Sequence, residues 1–307
     1  MENFLIVAQQ VAVLFVLMGV GAACRKAKLL DDNSVGGIVN MLLLVVTPCL
    51  IVDCFQRDYD PTMLGSLGLA FVIAVGAHLL VISLAYLFVR HWADATHRTL
   101  RLAAVFSNAG FVGIPLEMAI FGSTGAFYGI VYVAVFNLFI WSWGYCMMGG
   151  RPRPVSMVFN PGTVGLALGL PLFFFSVRLP FVLHEPIHWM AGLNTPLAMI
   201  SIGYYLAGAK ILAALRVKQV WLTAFIRLVA YPLIVLTALY PFRHAVDRTM
   251  ALAMITACSA PVAAMVSVFA VKFNRDVDAS VSLVSGTALL SMITMPVVIA
   301  LAMGVFR

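Results

Sequence analysis

Between residues 106 and 121 the chain reads FSNAGFVGIPLEMAIF, an apolar stretch that carries Asn108, Gly110, Gly113, Pro115 and Glu117. A helix needed only to cross a bilayer has no use for such a set. Pro115 removes a backbone donor and disrupts the turn before it, and the two glycines let that turn unwind. Amides freed at the start of a half-helix suit a carboxylate, helped by the helix dipole. Asn108 adds two donors and one acceptor without the cost of a buried charge. The stretch ACSAPVAAM (257–265) places Cys258, Ser259 and Pro261 in a comparable setting. Each feature also has a plainer reading. Proline kinks are common in transmembrane helices and neighbours repair them, and a lone asparagine often bonds an adjacent helix.

Other polar residues carry competing readings. Glu117 lies within a span, where an acid is costly and a functional role is the default; it either carries protons or reaches water near the outer end. Asp53, in LIVDCF, ends a span and is expected to be solvated at the outer surface instead of coupling an ion. Arg227, in TAFIRLVAY, is the only base well inside a span. It could pair with an acid or attract an anion, but it stands nine residues beyond Lys218, so it is expected to extend to the inner interface. Asn137 and Thr287, 150 residues apart, either line the site or bond neighbouring helices. Trp141, Trp143 and Tyr145 read as an interfacial belt.

The segment HEPIH (184–188) matches the zinc-protease pattern, which would make the chain an intramembrane metalloenzyme using His184 and His188. That chemistry needs both histidines on one face of a continuous helix. Pro186 interrupts the motif, the setting reads as a loop, and no third ligand is apparent, so coincidence is the expectation. No metal site and no cofactor are expected. There is no GxSxG elbow, P-loop or acidic diphosphate-binding cluster.

The elements that must position these residues follow from hydropathy. Of 307 residues 63 % are hydrophobic and 10 % charged, too apolar a composition for a soluble domain. A span needs roughly 20 apolar residues. Ten candidates lie near 1–23, 35–55, 65–90, 99–121, 125–149, 160–177, 187–209, 219–241, 250–271 and 281–306, the sixth being short and holding Pro171. The first carries its positive charges after the apolar run, at Arg25, Lys26 and Lys28, and so reads as a retained span with its N-terminus outside, not a signal peptide. With that orientation 13 of the 19 basic residues fall in inner loops, 5 outside and 1, Arg227, in the membrane. The positive-inside rule favours it, and both termini are then outside. The net charge of +7 therefore sets topology and implies no nucleic acid. The five cysteines lack metal-ligand spacing and an even count, and read as small apolar residues.

GGRPRPVSMVFNPG (149–162) divides the spans five and five: a first half 1–148, a cytoplasmic linker 149–161 and a second half 162–307. An odd number of spans per half makes any internal repeat inverted. HRTLRLAAV (97–105) and DRTMALAMI (247–255) match at an offset of 150, and TPCL (47–50) and TPLA (195–198) at 148. Both pair the spans that a five-plus-five repeat demands.

FSNAGFVGIPL followed by FG resembles the fourth-span signature of the auxin efflux carrier family, and TPCLI and SGTALLSMITMP (285–296) support the resemblance. Length and span number match the family's bacterial members. The resemblance implies a fold shared with bile-acid symporters and sodium–proton antiporters: an all-α integral membrane protein of ten helices in two inverted repeats. Spans 1, 2, 6 and 7 would form a scaffold and spans 3–5 and 8–10 a moving core. Spans four and nine would be broken and cross. It further implies a secondary carrier of small organic anions, from auxin in plants to bacterial dicarboxylates such as malonate or malate, working by elevator-type alternating access in the inner membrane. The substrate would meet Asn108, Ala109, Gly110, Pro115, Asn137, Cys258, Ser259, Pro261 and Thr287, with Glu117, Asp53 and Arg227 as candidates for coupling. A sodium- or proton-coupled symporter or antiporter is the alternative within transport. The expected partners are the anion and the bilayer, with a homodimer left open.

Overall fold

The computed structural model describes residues 2–58, 61–89, 94–151, 161–209 and 211–306. Most of the predicted linker, and Arg90, Arg153, Lys210 and Arg307 of the charge count, lie outside them. The chain is all helical; among the described residues one isolated bridge is the only β pairing. Among the described residues six helical runs are long and apolar enough to cross a membrane: Val7–Lys26, Asp32–Phe55, Met63–Leu87, Ala109–Met147, Lys218–Phe242 and Val277–Val305.

In chain order the helices are α1 (Glu2–Lys26), α2 (Asp32–Phe55), α3 (Pro61–Phe88) and α4 (Asp94–Val105). The run Ala109–Met147 follows, and Gly122 divides it into α5 (109–121) and α6 (123–147). Gly122 has φ 67° and ψ −159°, a conformation that an L side chain resists, so this turn between two apolar helices requires glycine. Next come α7 (Pro161–Phe174), α8 (Phe181–Gly192), α9 (Asn194–Gly208), α10 (Lys218–Phe242), α11 (Arg248–Ser259), α12 (Met265–Lys272) and α13 (Val277–Val305). Helix occurs in all ten predicted ranges. Those that fall short as single spans are the short seventh helix, the pair α8 and α9 split at Leu193, and the two helices interrupted at 106–108 and 260–264.

Three of the four π-helical segments among the described residues, Leu42–Val46, Ala109–Gly113 and Phe225–Ala230, end two residues before a proline: Pro48, Pro115 and Pro232. The cause is local. Proline lacks an N–H and its ring collides with the carbonyl four residues back, and a widened turn relieves the collision without ending the helix.

Packing places the broken helices at the centre. Every residue of α11 from Met250 to Ser259 is buried, as expected of a helix surrounded by others. At the periphery α1 and α9 touch backbone to backbone. A Cβ on Gly21 would overlap the Ile200 carbonyl, and one on Gly203 would overlap the Met18 carbonyl. In lipid, helix association relies on such close van der Waals approach. Phe55, Phe127 and Phe173, with ring centroids 4.8–6.1 Å apart, join α2, α6 and α7.

Candidate functional site: the crossing of two broken helices

The interruption after α4 and the interruption after α11 meet. Ser107 and Val262 form an antiparallel bridge. The Asn108 amide donates to the Pro261 carbonyl at 2.7 Å, and the Ala263 amide donates to the Phe106 carbonyl at 2.9 Å. Two extended strips of backbone thus satisfy one another where helical bonds have been given up, as unwound chain at membrane depth must. The Val262 amide is taken by the Thr287 hydroxyl of α13 at 3.1 Å, which itself donates to the Leu283 carbonyl at 2.7 Å.

Two helix C-termini, α4 and α11, and two N-termini, α5 and α12, converge here. The C-terminal carbonyls would be left without donors, but a single side chain collects them. Arg227, fully buried on α10, donates through Nη1 to the carbonyls of Ala104 (3.3 Å) and Val105 (3.0 Å). Its Nη2 reaches Cys258 (2.9 Å) and its Nε reaches Ala260 (3.2 Å). A guanidinium suits this task because its planar fork presents several donors at fixed angles, and its charge opposes the negative ends of both helix dipoles. Its face lies 4.7 Å from the Tyr231 ring, one turn further along α10. The Tyr231 hydroxyl lies 3.4 Å from that of Tyr132 and accepts from the Cys258 thiol at 3.3 Å.

The N-terminal side is different. The Asn108 carbonyl takes the amides of Val112 and Gly113. The amides of Ala109, Gly110 and Phe111 have no backbone acceptor among the described residues, and neither does the Asn108 side chain hydrogen-bond there. Asn108, Gly110 and Phe111 are only partly buried, and a side-chain atom added at Gly110 would meet open space. Beside Pro261 a cavity of about 30 Å³ runs between α1, α5, α9 and α13, lined by Phe15, Met18, Leu116, Met199, Met292 and Met295 among others. Free donors, a fixed positive charge behind them and an apolar flank can hold a small anion.

The family model described as membrane transport protein matches residues 6–158 and 153–299. The chain belongs to this family. A relative described as an uncharacterized transporter, from Methanothermobacter thermautotrophicus, is 26 % identical over 291 residues, covering 92 % of this chain and 94 % of its own. The resemblance read from the fourth-span motif therefore holds, and the chain is a multi-pass membrane transporter.

The transporter brings some of the expected residues together and assigns others elsewhere. Asn108, Ala109, Gly110, Pro115 and Pro261 stand at the crossing or in the first turns after it. Cys258 and Ser259 are wholly enclosed. The Ser259 hydroxyl donates to its own helix at Thr256, and Cys258 faces Tyr231. Thr287 secures the crossing backbone. Asn137 turns back to the Val133 carbonyl at 3.0 Å. Arg227 is far from the interfacial position expected of it, because the carbonyls of two broken helices supply a better set of partners than water would. Glu117 is also fully buried, so an outer end in water does not apply. Its carboxylate oxygens have no hydrogen-bond partner among the described residues and lie against Gly129 and Gly113.

Two further corrections concern the C-terminal end of α2. Asp53 is not simply solvated: its carboxylate is 15 % exposed and meets His184 Nε2 at 3.1 Å and His188 Nδ1 at 3.2 Å. Pro186 does not break the HEPIH segment, which is helical throughout α8 with both histidines on one face, their rings 6.1 Å apart. Among the described residues no group of three or more His, Cys, Asp or Glu is arranged to hold a metal ion. Tyr132, Tyr231 and His78, whose ring stacks 5.2 Å from Phe139 beside Tyr132, were not foreseen. The available signal for Tyr231 was its place four residues after Arg227, one turn along the same helix face.

Proposed function

We propose that the protein is a secondary transporter of small organic anions, with carboxylates such as malonate or malate as first candidates. The amides of α5 and the Asn108 side chain receive the carboxylate at the crossing. One observation carries this reading: at the intersection the helix C-termini are neutralised by Arg227, while the α5 N-terminus keeps three unengaged amides beside a partly exposed asparagine. That imbalance favours a negative ligand. The second half of the chain, 162–307, repeats the first, 1–148, upside down. The helices of spans 1, 2, 6 and 7 stay fixed while those of spans 3–5 and 8–10 carry the crossing across an inner membrane, with both termini outside. The apolar flank of the cavity beside Pro261 favours an anion with a compact hydrocarbon body.

A thermal-shift screen of small carboxylates on detergent-purified protein tests the substrate, since a bound anion raises the melting temperature by mass action. Asn108→Ala is expected to weaken binding of any hit by about 10- to 100-fold, the loss of one or two charge-assisted hydrogen bonds, with the ligand-free melting temperature unchanged. Binding equal to the parent's removes Asn108 from the site. The topology has its own check: cysteines placed at the two chain ends are expected to react with an impermeant maleimide from outside intact cells. Protection of the C-terminal one sinks the inverted repeat.

A further inference from the structure

Asp53 ends α2, and His184 and His188 share one face of α8. Both imidazoles point at the same carboxylate, at 3.1 and 3.2 Å. Next to them is a cavity of about 150 Å³, lined by Asp53, His188, Asn194 and Thr195 on one side and by Ile114 and Met118 of α5 on the other. Asn194 is 4 % exposed. A cavity of that size with such a lining suits several waters. The α5 wall belongs to the same helix whose first turn offers its amides at the crossing.

We propose that Asp53, His184 and His188 form a proton-binding site that couples protonation to the closing of α5 against α2 and α8. The proposal rests on the transporter reading above. Its logic is a count of charge. With both imidazoles neutral the cluster carries −1; with one proton bound it carries 0; with two it carries +1. A net charge facing Ile114 and Met118 holds water and resists closure, because an apolar wall cannot replace hydration. Only the singly protonated, neutral cluster lets the gap close. Imidazole is the side chain suited to such a switch, so the closed form should be the one populated between the two protonation steps. The two steps belong to the pair together and not to either histidine.

Other charged or titratable groups share the neighbourhood. The field of Asp53 reaches Cys49 and Cys54 on α2 and also Arg57. Arg57 is held by the Cys54 and Ser123 carbonyls. Glu185 lies between the histidines on α8, and Glu117 on α5 is turned toward Gly129. Helices α7 and α9 bring no charged or titratable side chain to the cluster.

The test needs no substrate, so its failure is distinct from failure of the transporter reading. Met118→Cys is introduced into a variant lacking the native cysteines, and its maleimide labelling rate is followed from pH 5 to 8. The rate is divided by that of Trp189→Cys, on the exposed side of α8, to remove the intrinsic pH dependence of the thiol. The parent should label about tenfold more slowly at the intermediate minimum than at either end of the range. With His188→Gln only the −1 and 0 states remain, so labelling should stay slow down to pH 5. With Asp53→Asn the states become 0, +1 and +2, so labelling should be slow only toward pH 8. If Asp53→Asn fails to fold, His188→Gln alone decides. A profile that is flat in the parent, or identical in parent and variants, overturns the proposal.

Discussion

Arg227→Met is expected to yield no stably folded protein. The substitution preserves the apolar stem but leaves the carbonyls of Ala104, Val105, Cys258 and Ala260 without their donor in the centre of the bundle. An unsatisfied buried carbonyl costs about 1–3 kcal/mol, and four of them rival the 5–15 kcal/mol by which a typical domain is stable. The ends of α4 and α11 would also lose the charge that opposes their dipoles. Arg227→Lys keeps the charge but supplies three donors from one point, which cannot reach four carbonyls spread over two helices; it should fold with a lowered melting temperature. Size-exclusion profiles and thermal unfolding in detergent give the answer. A monodisperse Arg227→Met with the parent's melting temperature would show that the crossing needs no clamp.

Gly129→Ala should lower the melting temperature for a different reason. The space a Cβ would take on α6 is filled by the Glu117 carboxyl of α5. Both are fully enclosed, and overpacking of this kind typically costs about 1–3 kcal/mol. Pairing it with Glu117→Ala removes the obstruction, so the double variant should recover much of the melting temperature that Gly129→Ala loses. Glu117→Gln, of the same shape, should not rescue. If the double variant is no more stable than Gly129→Ala alone, the damage lies in the α6 backbone and not in the meeting of these two residues. The pair matters for function because an unpartnered carboxyl within the transporter's core persists only where the opposite helix makes room for it.

How much of this could be read from residue order differs between the fold and the site. Hydropathy located helix in all ten ranges, since burial of apolar surface and the length of a bilayer-crossing helix are properties of local composition. The Asn108–Pro115 motif marked the first interruption because glycine and proline act on their own backbone, and Pro261 marked the second for the same reason. The π turns before Pro48 and Pro232 obey the same local rule.

Partner choice was not legible. Arg227 stands close enough to Lys218 to suggest an interfacial side chain, and nothing nearby in sequence says that four carbonyls more than thirty residues away on two other helices will claim it. Asp53 looked like a solvated helix end until α8 laid two histidines against it, and Pro186 looked like a break until the surrounding turns carried the helix through. Residue order by itself determined that this chain is a membrane-embedded helical bundle with two weak points in its helices. Tertiary structure alone decided that the weak points meet, that one arginine holds their carbonyl ends, and that the amide ends stay open. The reason is physical: a backbone amide or carbonyl released by proline or glycine has no preferred partner until packing brings one within about 3 Å.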